Sequence, residues 1–239
     1  MEILKQIKKS LKTSISFPCS YIEGNSEKRI YIDLKNFSNK RTIISKLSKS
    51  GFRRSYDHMY IPQCSSCNLC ISSRINLKKF KYTKSSLRNL KINSDLLLSF
   101  NTKNIKKERY ELFIKYCSER HNKGQMQYMS NEEFENFFYK NNNDTTIIDL
   151  IDSKQNLFAS ILLDILDDGY SAVYSFFDPY SKKRGLGKNL ILRSLELIKL
   201  KNKDNLYLGY WVKGSNTMDY KYSFKGLELF INGEWKNKL

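Results

Sequence analysis

Cys64, Cys67 and Cys70 stand two residues apart in the run Gly51–Arg74, GFRRSYDHMYIPQCSSCNLCISSR. A buried cysteine ordinarily serves as a small apolar filler. These three sit among Pro62, Ser65, Ser66 and Asn68, where no apolar face needs filling. Thiolates at this spacing suit a tetrahedral zinc ion once a fourth ligand closes the shell. Cys19 is the first candidate for that ligand and His58 the second. The same sulfurs suit an iron–sulfur cluster, and free thiols of minor structural use are the third reading.

Little else reads as covalent machinery. His58 and His121 are the two histidines of the chain, and His121 closes a predicted helix, where an imidazolium suits the helix dipole. No Ser-His-Asp or Cys-His relay is in view, which sets hydrolytic covalent catalysis aside. The second pattern with chemistry in it is Lys182-x-x-Gly185-x-Gly187, with Arg184 inside it and Lys188 after it. A basic, glycine-containing loop that opens into a helix turns N–H groups and cations toward a phosphate.

The elements that must position these groups follow from hydrophobic periodicity. Residues 1–16 read as a basic amphipathic segment or arm, 30–34 as a strand, and 42–50 as a helix stopped by Gly51. Strands over 58–61 and 71–77 bracket the cysteines. The stretch 78–98 is helical in its second half, with Lys84, Arg88 and Lys91 on one face and Leu87, Leu90 and Leu97 turned inward. Helices follow over 107–120, with Cys117 in the apolar stripe, and over 131–139, opened by Ser130 with Glu133 three residues on. Strands over 145–151, 157–165 and 170–177 lead to the glycine loop, a helix over 189–201, and strands over 206–211 and 227–231. That order predicts an α/β (α+β) protein with an N-acetyltransferase-like acyltransferase fold in its C-terminal half. A polar connection at 100–106 divides a basic, cysteine-containing domain, 1–103, from an acyltransferase-like domain, 104–239.

Charge separates the same two stretches. The 239-residue chain carries a formal net charge of +18. Residues 1–103 hold 21 Lys and Arg against 6 Asp and Glu, while 104–239 hold 21 against 18. A genome-wide taste for lysine loads both halves alike, so the first half has its own reason to be basic, and a polyanion is the partner it implies. No apolar run approaches the length of a signal core or a spanning helix. Five cysteines, three of them clustered, do not make a secreted disulfide framework. The expected compartment is a reducing cytoplasm.

Several longer stretches, taken together, carry a resemblance. They are Cys19-Ser-Tyr21, Gly51-Phe-Arg-Arg-Ser55, Tyr60-Ile-Pro-x-Cys64-x-x-Cys67-x-x-Cys70 and Arg74. Leu208-Gly-Tyr-Trp-Val-Lys-Gly-Ser215 and Met218-Asp-Tyr-Lys221 follow in order. This set resembles the arginyl-tRNA–protein transferase family, and most closely its bacterial branch, the aspartate/glutamate leucyltransferases. The resemblance runs from about Phe17 to Leu229. It implies transfer of leucine from leucyl-tRNA to the N-terminal α-amine of proteins beginning with Asp or Glu, marking them for degradation. The eukaryotic branch has Cys-x-x-Cys near its N-terminus, whereas Cys19-Ser20 is followed here by Tyr21-Ile22.

Roles within that reaction follow by residue type. Arg53, Arg54 and Arg74 suit bidentate capture of an acidic side chain. Asp219 or Asp178 suits holding or deprotonating the acceptor amine, and Tyr210 joins them as a catalytic candidate. Trp211 and Tyr220 suit an acyl pocket or stacking on the tRNA 3′ end. Lys84, Arg88, Lys91, Lys182, Arg184, Gly185, Gly187 and Lys188 are the candidate tRNA contacts. The transfer itself requires no cofactor, since its donor is already an activated ester, and zinc or an iron–sulfur group is reserved for Cys19, Cys64, Cys67 and Cys70. Three rivals remain: an arginyl donor, an acetyl-CoA-dependent N-acetyltransferase, and a metal-stabilised RNA-binding protein without catalysis.

Overall fold

The computed structural model describes residues 2–101, 105–120, 124–140, 143–215 and 217–238. The expected boundary at 103/104 and His121 lie outside them. In chain order the helices are α1 (Glu2–Ser10), α2 (Lys40–Lys49), α3 (Lys84–Ile92), α4 (Lys106–Arg120), α5 (Asn131–Phe138) and α6 (Leu186–Leu200). The strands of the first part are β1 (Lys12–Thr13), β2 (Phe17–Pro18), β3 (Ser26–Glu27), β4 (Arg29–Asp33), β5 (Arg53–Ser55), β6 (His58–Pro62), β7 (Cys70–Asn76) and β8 (Leu97–Phe100). Those that follow are β9 (Thr145–Ile151), β10 (Leu157–Ile165), β11 (Gly169–Phe177), β12 (Asn205–Val212), β13 (Leu227–Ile231) and β14 (Glu234–Asn237). The class is α/β, as the periodicity predicts, and the sequence β9, β10, β11, glycine loop, α6, β12 is that of an acyltransferase fold.

Close contacts gather the chain into two compact units that are interleaved along it. The first comprises Met1–Phe80, Leu166–Ser171 and Asp204–Leu239, and the second Lys81–Ile165 and Ala172–Lys203.

In the first unit β7 lies between β12 and β13, antiparallel to both, and β14 closes the edge beside β13. The opening residues of β11 pair in parallel with β12, Gly169 opposite Asn205 and Ser171 opposite Tyr207. A parallel pair needs a long crossover, and the chain supplies one through α6. A second sheet in the order β1-β4-β6-β5 carries the Arg53–Ser55 strand. Ile32, Leu34, Ile43, Ile44, Leu47 and Met59 form its core with Leu166 and Tyr207. Asn39 caps α2 by accepting from the Thr42 amide, which satisfies one of the orphan donors of the first turn.

The second unit is aromatic at its centre. Phe113, Phe134, Phe137, Phe138 and Phe176 surround Cys117, which is fully buried as the helical stripe requires. The Ser130–Glu133 capping box is formed at the start of α5. Deep in the same unit Arg109 and Asp149 make a two-pronged ion pair at 2.9 and 2.5 Å, both fully buried. Tyr139 and Ser160 take up further hydrogen bonds of the pair. One expectation for this unit fails: Leu87 and Leu97 are exposed, and the buried face of α3 carries Ser86 and Asn89. Asn89 turns inward because its amide has acceptors waiting there, the carbonyls of Arg184 and Gly185.

Candidate functional site

β12 carries an irregularity. Tyr207 sits opposite Arg74 and Gly209 opposite Ser73, so Leu208 is an extra residue in the ladder. Gly209 takes φ +69°, a left-handed conformation that a side chain disfavours. The bulge re-aims the strand and also makes room. A Cβ at Gly209 would stand 2.3 Å from Nη1 of Arg53, so the guanidinium lies directly over the bare backbone. One residue on, the carbonyl of Tyr210 accepts a 2.5 Å hydrogen bond from Nζ of Lys221. Two basic side chains are thus brought to consecutive residues of one strand.

Their surroundings differ from those of a surface pair. Arg53 is half-buried and Lys221 only 3% exposed. Burial opposes the charge on Arg53, but the phenols of Tyr60, Tyr21, Tyr210 and Tyr220 outweigh it and hold the guanidinium protonated. Burial, reinforced by the Arg53 cation, pulls the Lys221 ammonium well below the usual lysine range, against a small opposing effect from Cys70. Among the described residues no carboxylate comes within ion-pair distance of Lys221. Lys221 was not singled out by residue type. Its signal was its place between Tyr220 and Tyr222, a lysine inside an aromatic run.

The other sequence candidates in this unit are placed as follows. The Tyr210 side chain is fully buried and its hydroxyl donates to the carbonyl of Tyr60 at 2.7 Å. Trp211 packs against Tyr222 with ring centroids 4.9 Å apart and planes tilted by 32°, and its indole N–H is buried without an acceptor among the described residues. Tyr220 is 44% exposed, and Asp219 begins the short 3-10 turn Asp219–Ser223 in an exposed position. Arg54 is buried, with Nη1 donating to the Tyr56 carbonyl. Arg74 donates to Glu228 at 2.8 Å and to the Tyr207 hydroxyl at 3.2 Å, while its guanidinium lies 4.4 Å from the Trp235 ring. Of the three arginines expected at the acceptor, Arg53 alone stands beside Lys221 and Tyr220 in this arrangement, and Arg74 is committed to Glu228.

Cys19, Cys64, Cys67 and Cys70 all line one cavity of about 30 Å³, together with Ile22, Glu27 and Asn68. Sequence reasoning missed Glu27, which is 1% exposed and has Oε2 buried without a hydrogen-bond partner among the described residues. Cys19 joins the thiols through the β2–β3 turn, whereas His58 lies in β6 against Tyr31 and Tyr60. The Cys70 thiol is pushed up to about 12, first by burial and then by Glu27 and the neighbouring cysteines. The donor set therefore fits a thiolate-seeking metal or cluster, which would displace those protons on binding. As the side chains stand, no three of the described His, Cys, Asp or Glu residues converge on a common coordination point.

The basic glycine loop belongs to the second unit, and its glycines have packing reasons. Gly185 ends a 3-10 turn at φ +60°, and a Cβ on Gly187 would meet the Phe177 ring at 2.9 Å. Arg184 is held by Asn93 and Asp95, and Lys188 donates to Ser85. Lys182 is exposed, as are Lys84, Arg88 and Lys91 along α3. Asp178 closes its own turn by accepting from Ser181 at 2.5 Å and pairs with Lys115 at 2.8 Å. Burial raises its carboxyl, but those two bonds prevail and keep it ionised below the usual range. The two acidic candidates, Asp219 and Asp178, thus fall in different units.

Comparison with known proteins places this arrangement. The model for the N terminus of arginine-tRNA-protein transferases matches residues 17–88, and the model for their C terminus matches 108–231. The chain belongs to that family. Its relatives include an aspartate/glutamate leucyltransferase of Teredinibacter turnerae, 36% identical over 92% of this chain and 90% of the relative. Another, from Nitrosococcus oceani, is 37% identical and covers 91% of each. Among solved structures, FemX matches at a TM-score of 0.50, with 9% identity, over 79% of this chain and 64% of that one. That likeness is one of fold. Within the arginine-tRNA-protein transferase family frame, the N-terminal match contains the four cavity cysteines and Arg53, and the C-terminal match contains Gly209 and Lys221. Among the described residues no helix is long and apolar enough to cross a membrane.

Proposed function

We propose that the chain transfers leucine from leucyl-tRNA to the N-terminal α-amine of proteins that begin with Asp or Glu, in the cytoplasm, and so marks them for degradation. Membership of the transferase family over both halves makes it an aminoacyltransferase. The observation that carries the finer reading is the consistent naming of relatives 36–37% identical over more than nine-tenths of the chain. The excess of positive charge before residue 103 supports a tRNA partner.

The reaction asks little of covalent chemistry. The acceptor amine, once neutral, attacks the ester carbonyl. An amide bond forms, the ester C–O bond breaks, the tRNA terminal hydroxyl leaves with a proton, and the amine gives up one. Because the donor is already activated, holding both substrates in line supplies most of the acceleration. Asp219, exposed at the edge of the aromatic run, is our candidate for receiving the amine. Tyr220 and Trp211 are the candidates for contact with the acyl group. Tyr210, with its hydroxyl spent on Tyr60, we assign to positioning the strand. Lys84, Arg88, Lys91 and Lys182 are the candidate phosphate contacts of the second unit. A zinc ion or iron–sulfur group held by Cys19, Cys64, Cys67 and Cys70 would staple the loops at 19–27 and 62–70 together, and transfer does not pass through it.

The test offers the purified chain a peptide beginning with Asp and tRNA charged with radiolabelled leucine or, separately, arginine. Label reaching the peptide from leucine alone is the expected result. Transfer from arginine revises the donor, and transfer from neither overturns the reading.

A further inference from the structure

Resting on the reading of a tRNA as donor, we propose that Asn89 and Asn93 are positioning residues that lock the loop 182–188 to α3, so that the cations of both grip one stretch of tRNA backbone. The lock is built from side-chain amides inside the second unit. Asn89 Nδ2 donates to the carbonyls of Arg184 and Gly185 at 3.0 and 3.1 Å, and its Oδ1 accepts from Asn189 at 3.0 Å. Asn93 Nδ2 donates to the Asn89 and Arg184 carbonyls, both at 2.9 Å, while its Oδ1 accepts from Nε of Arg184 at 2.9 Å. Asn93 and Asn189 are fully buried and Asn89 nearly so. Lys188 fastens the loop a second time, through Ser85 in the first turn of α3. Gly185 is shaped to the same lock: it sits at φ +60°, and a Cβ on it would meet Asn89 Nδ2 at 2.9 Å.

Apolar side chains would hold a helix against a loop at lower cost, since each buried amide must recover its desolvation. What a buried amide network adds is one defined placement of the elements it joins. The elements joined here are the two that carry exposed cations, Lys84, Arg88 and Lys91 on α3 and Lys182 and Lys183 in the loop. Among the described residues none of these five has a carboxylate within ion-pair distance. Asp95, the one acid between Lys78 and Asn101, is tied to Arg184. The face therefore keeps its charge for a partner. A nucleic-acid backbone is held in proportion to the phosphates that cations neutralise, and cations on a loop already fixed in place lose less freedom on binding. Holding the loop in register with the α3 row is what Asn89 and Asn93 contribute.

The experiment measures the affinity of the full chain for uncharged tRNA as a function of salt. In an otherwise wild-type chain, Lys91→Met should lower the slope of log affinity against log salt by about 1, and Lys182→Met with Lys183→Met by about 2. Asn93→Ala leaves all of these charges in place, yet should lose the loop's share of the slope, about 2. In the Asn93→Ala background the two loop substitutions should then change affinity by less than about twofold, while Lys91→Met still removes its own unit of slope. A residue that merely stabilised the fold would not abolish the loop's contribution and spare that of α3. Gly185→Ala disturbs the lock from the loop side and should act as Asn93→Ala does, which serves if the latter fails to fold. Lysine substitutions that leave the wild-type slope unchanged overturn the proposal without any core variant. So does a folded Asn93→Ala or Gly185→Ala in which the loop lysines still count in full. Either result leaves the transferase reading standing, since that is tested separately by label transfer from leucyl-tRNA to the peptide with the wild-type chain.

Discussion

Each unit buries a basic side chain, and the two are treated in opposite ways. In the second unit Arg109 is fully enclosed but meets Asp149 through two hydrogen bonds, with Tyr139 and Ser160 completing the network. Every charge there has its partner in the chain itself. In the first unit Lys221 is nearly as enclosed and donates to the Tyr210 backbone carbonyl, with no carboxylate among the described residues in ion-pair distance. A buried charge matched internally is a structural device, and one left unmatched is costly unless something else supplies the match. The contrast separates the two roles without reference to any relative.

That contrast is broken most severely by Asp149→Ala. It would leave Arg109 buried and unpaired, and stability should fall by about 3–5 kcal/mol, read as a lower denaturant midpoint. A loss below 1 kcal/mol would mean that the pair is not the anchor its geometry suggests. Gly209→Ala forces a side chain to a positive φ and displaces Arg53. It should cost about 1–2 kcal/mol in stability and weaken acceptor binding by more than that, with no change in tRNA affinity.

Glu228 gives a comparison of intermediate size. Burial pushes its carboxyl up, but hydrogen bonds from Lys79 and Arg74 outweigh that and hold it below the usual carboxylate range. A depressed carboxyl stabilises the fold fully above its unfolded value and loses that contribution as pH falls through the folded one. Urea midpoints measured downward from pH 6 should therefore drop below about pH 4.5, and Glu228→Gln should flatten that part of the curve. The smallest effect sharpens the comparison most. Lys221→Met should leave thermal stability unchanged or slightly higher, because it removes a buried amine whose charged form burial and Arg53 already disfavour. A large loss of stability on that substitution would place Lys221 with Arg109 as a structural group.

Much of the architecture was legible because the helices and central strands carry strong periodicity. β9, β10 and β13 occupy the predicted residues, and the Ser130–Glu133 cap is formed where its spacing places it. Three-residue β5 and four-residue β8 were too short to show a period, yet β5 delivers Arg53. Leu87 and Leu97 misled because apolar type was read as burial; the demand of two backbone carbonyls for a donor turned Asn89 inward instead. At the site, Cys64, Cys67 and Cys70 were legible as a set from their spacing, while Cys19 entered only as the first candidate for a fourth ligand. Arg74 was not, because Glu228, which claims it, lies 154 residues away. Lys221 carried only the weak signal of its place between Tyr220 and Tyr222: its type is common, and only tertiary structure shows that no carboxylate among the described residues pairs with it.

The interleaving of the units bears on how the chain is made. The second unit's last residue, Lys203, precedes the third segment of the first unit, which begins at Asp204. During synthesis the second unit therefore has all its parts while the first still lacks β12 and β13, the two strands that flank β7, and β14 beyond them. At ribosomal rates of about 5–20 residues per second, the 36 residues from Asp204 to Leu239 take roughly 2–7 s. For that interval β7 presents both edges to its surroundings, and the cysteine loop it follows waits with it. A nascent chain in this state is the form of the protein most exposed to misassembly.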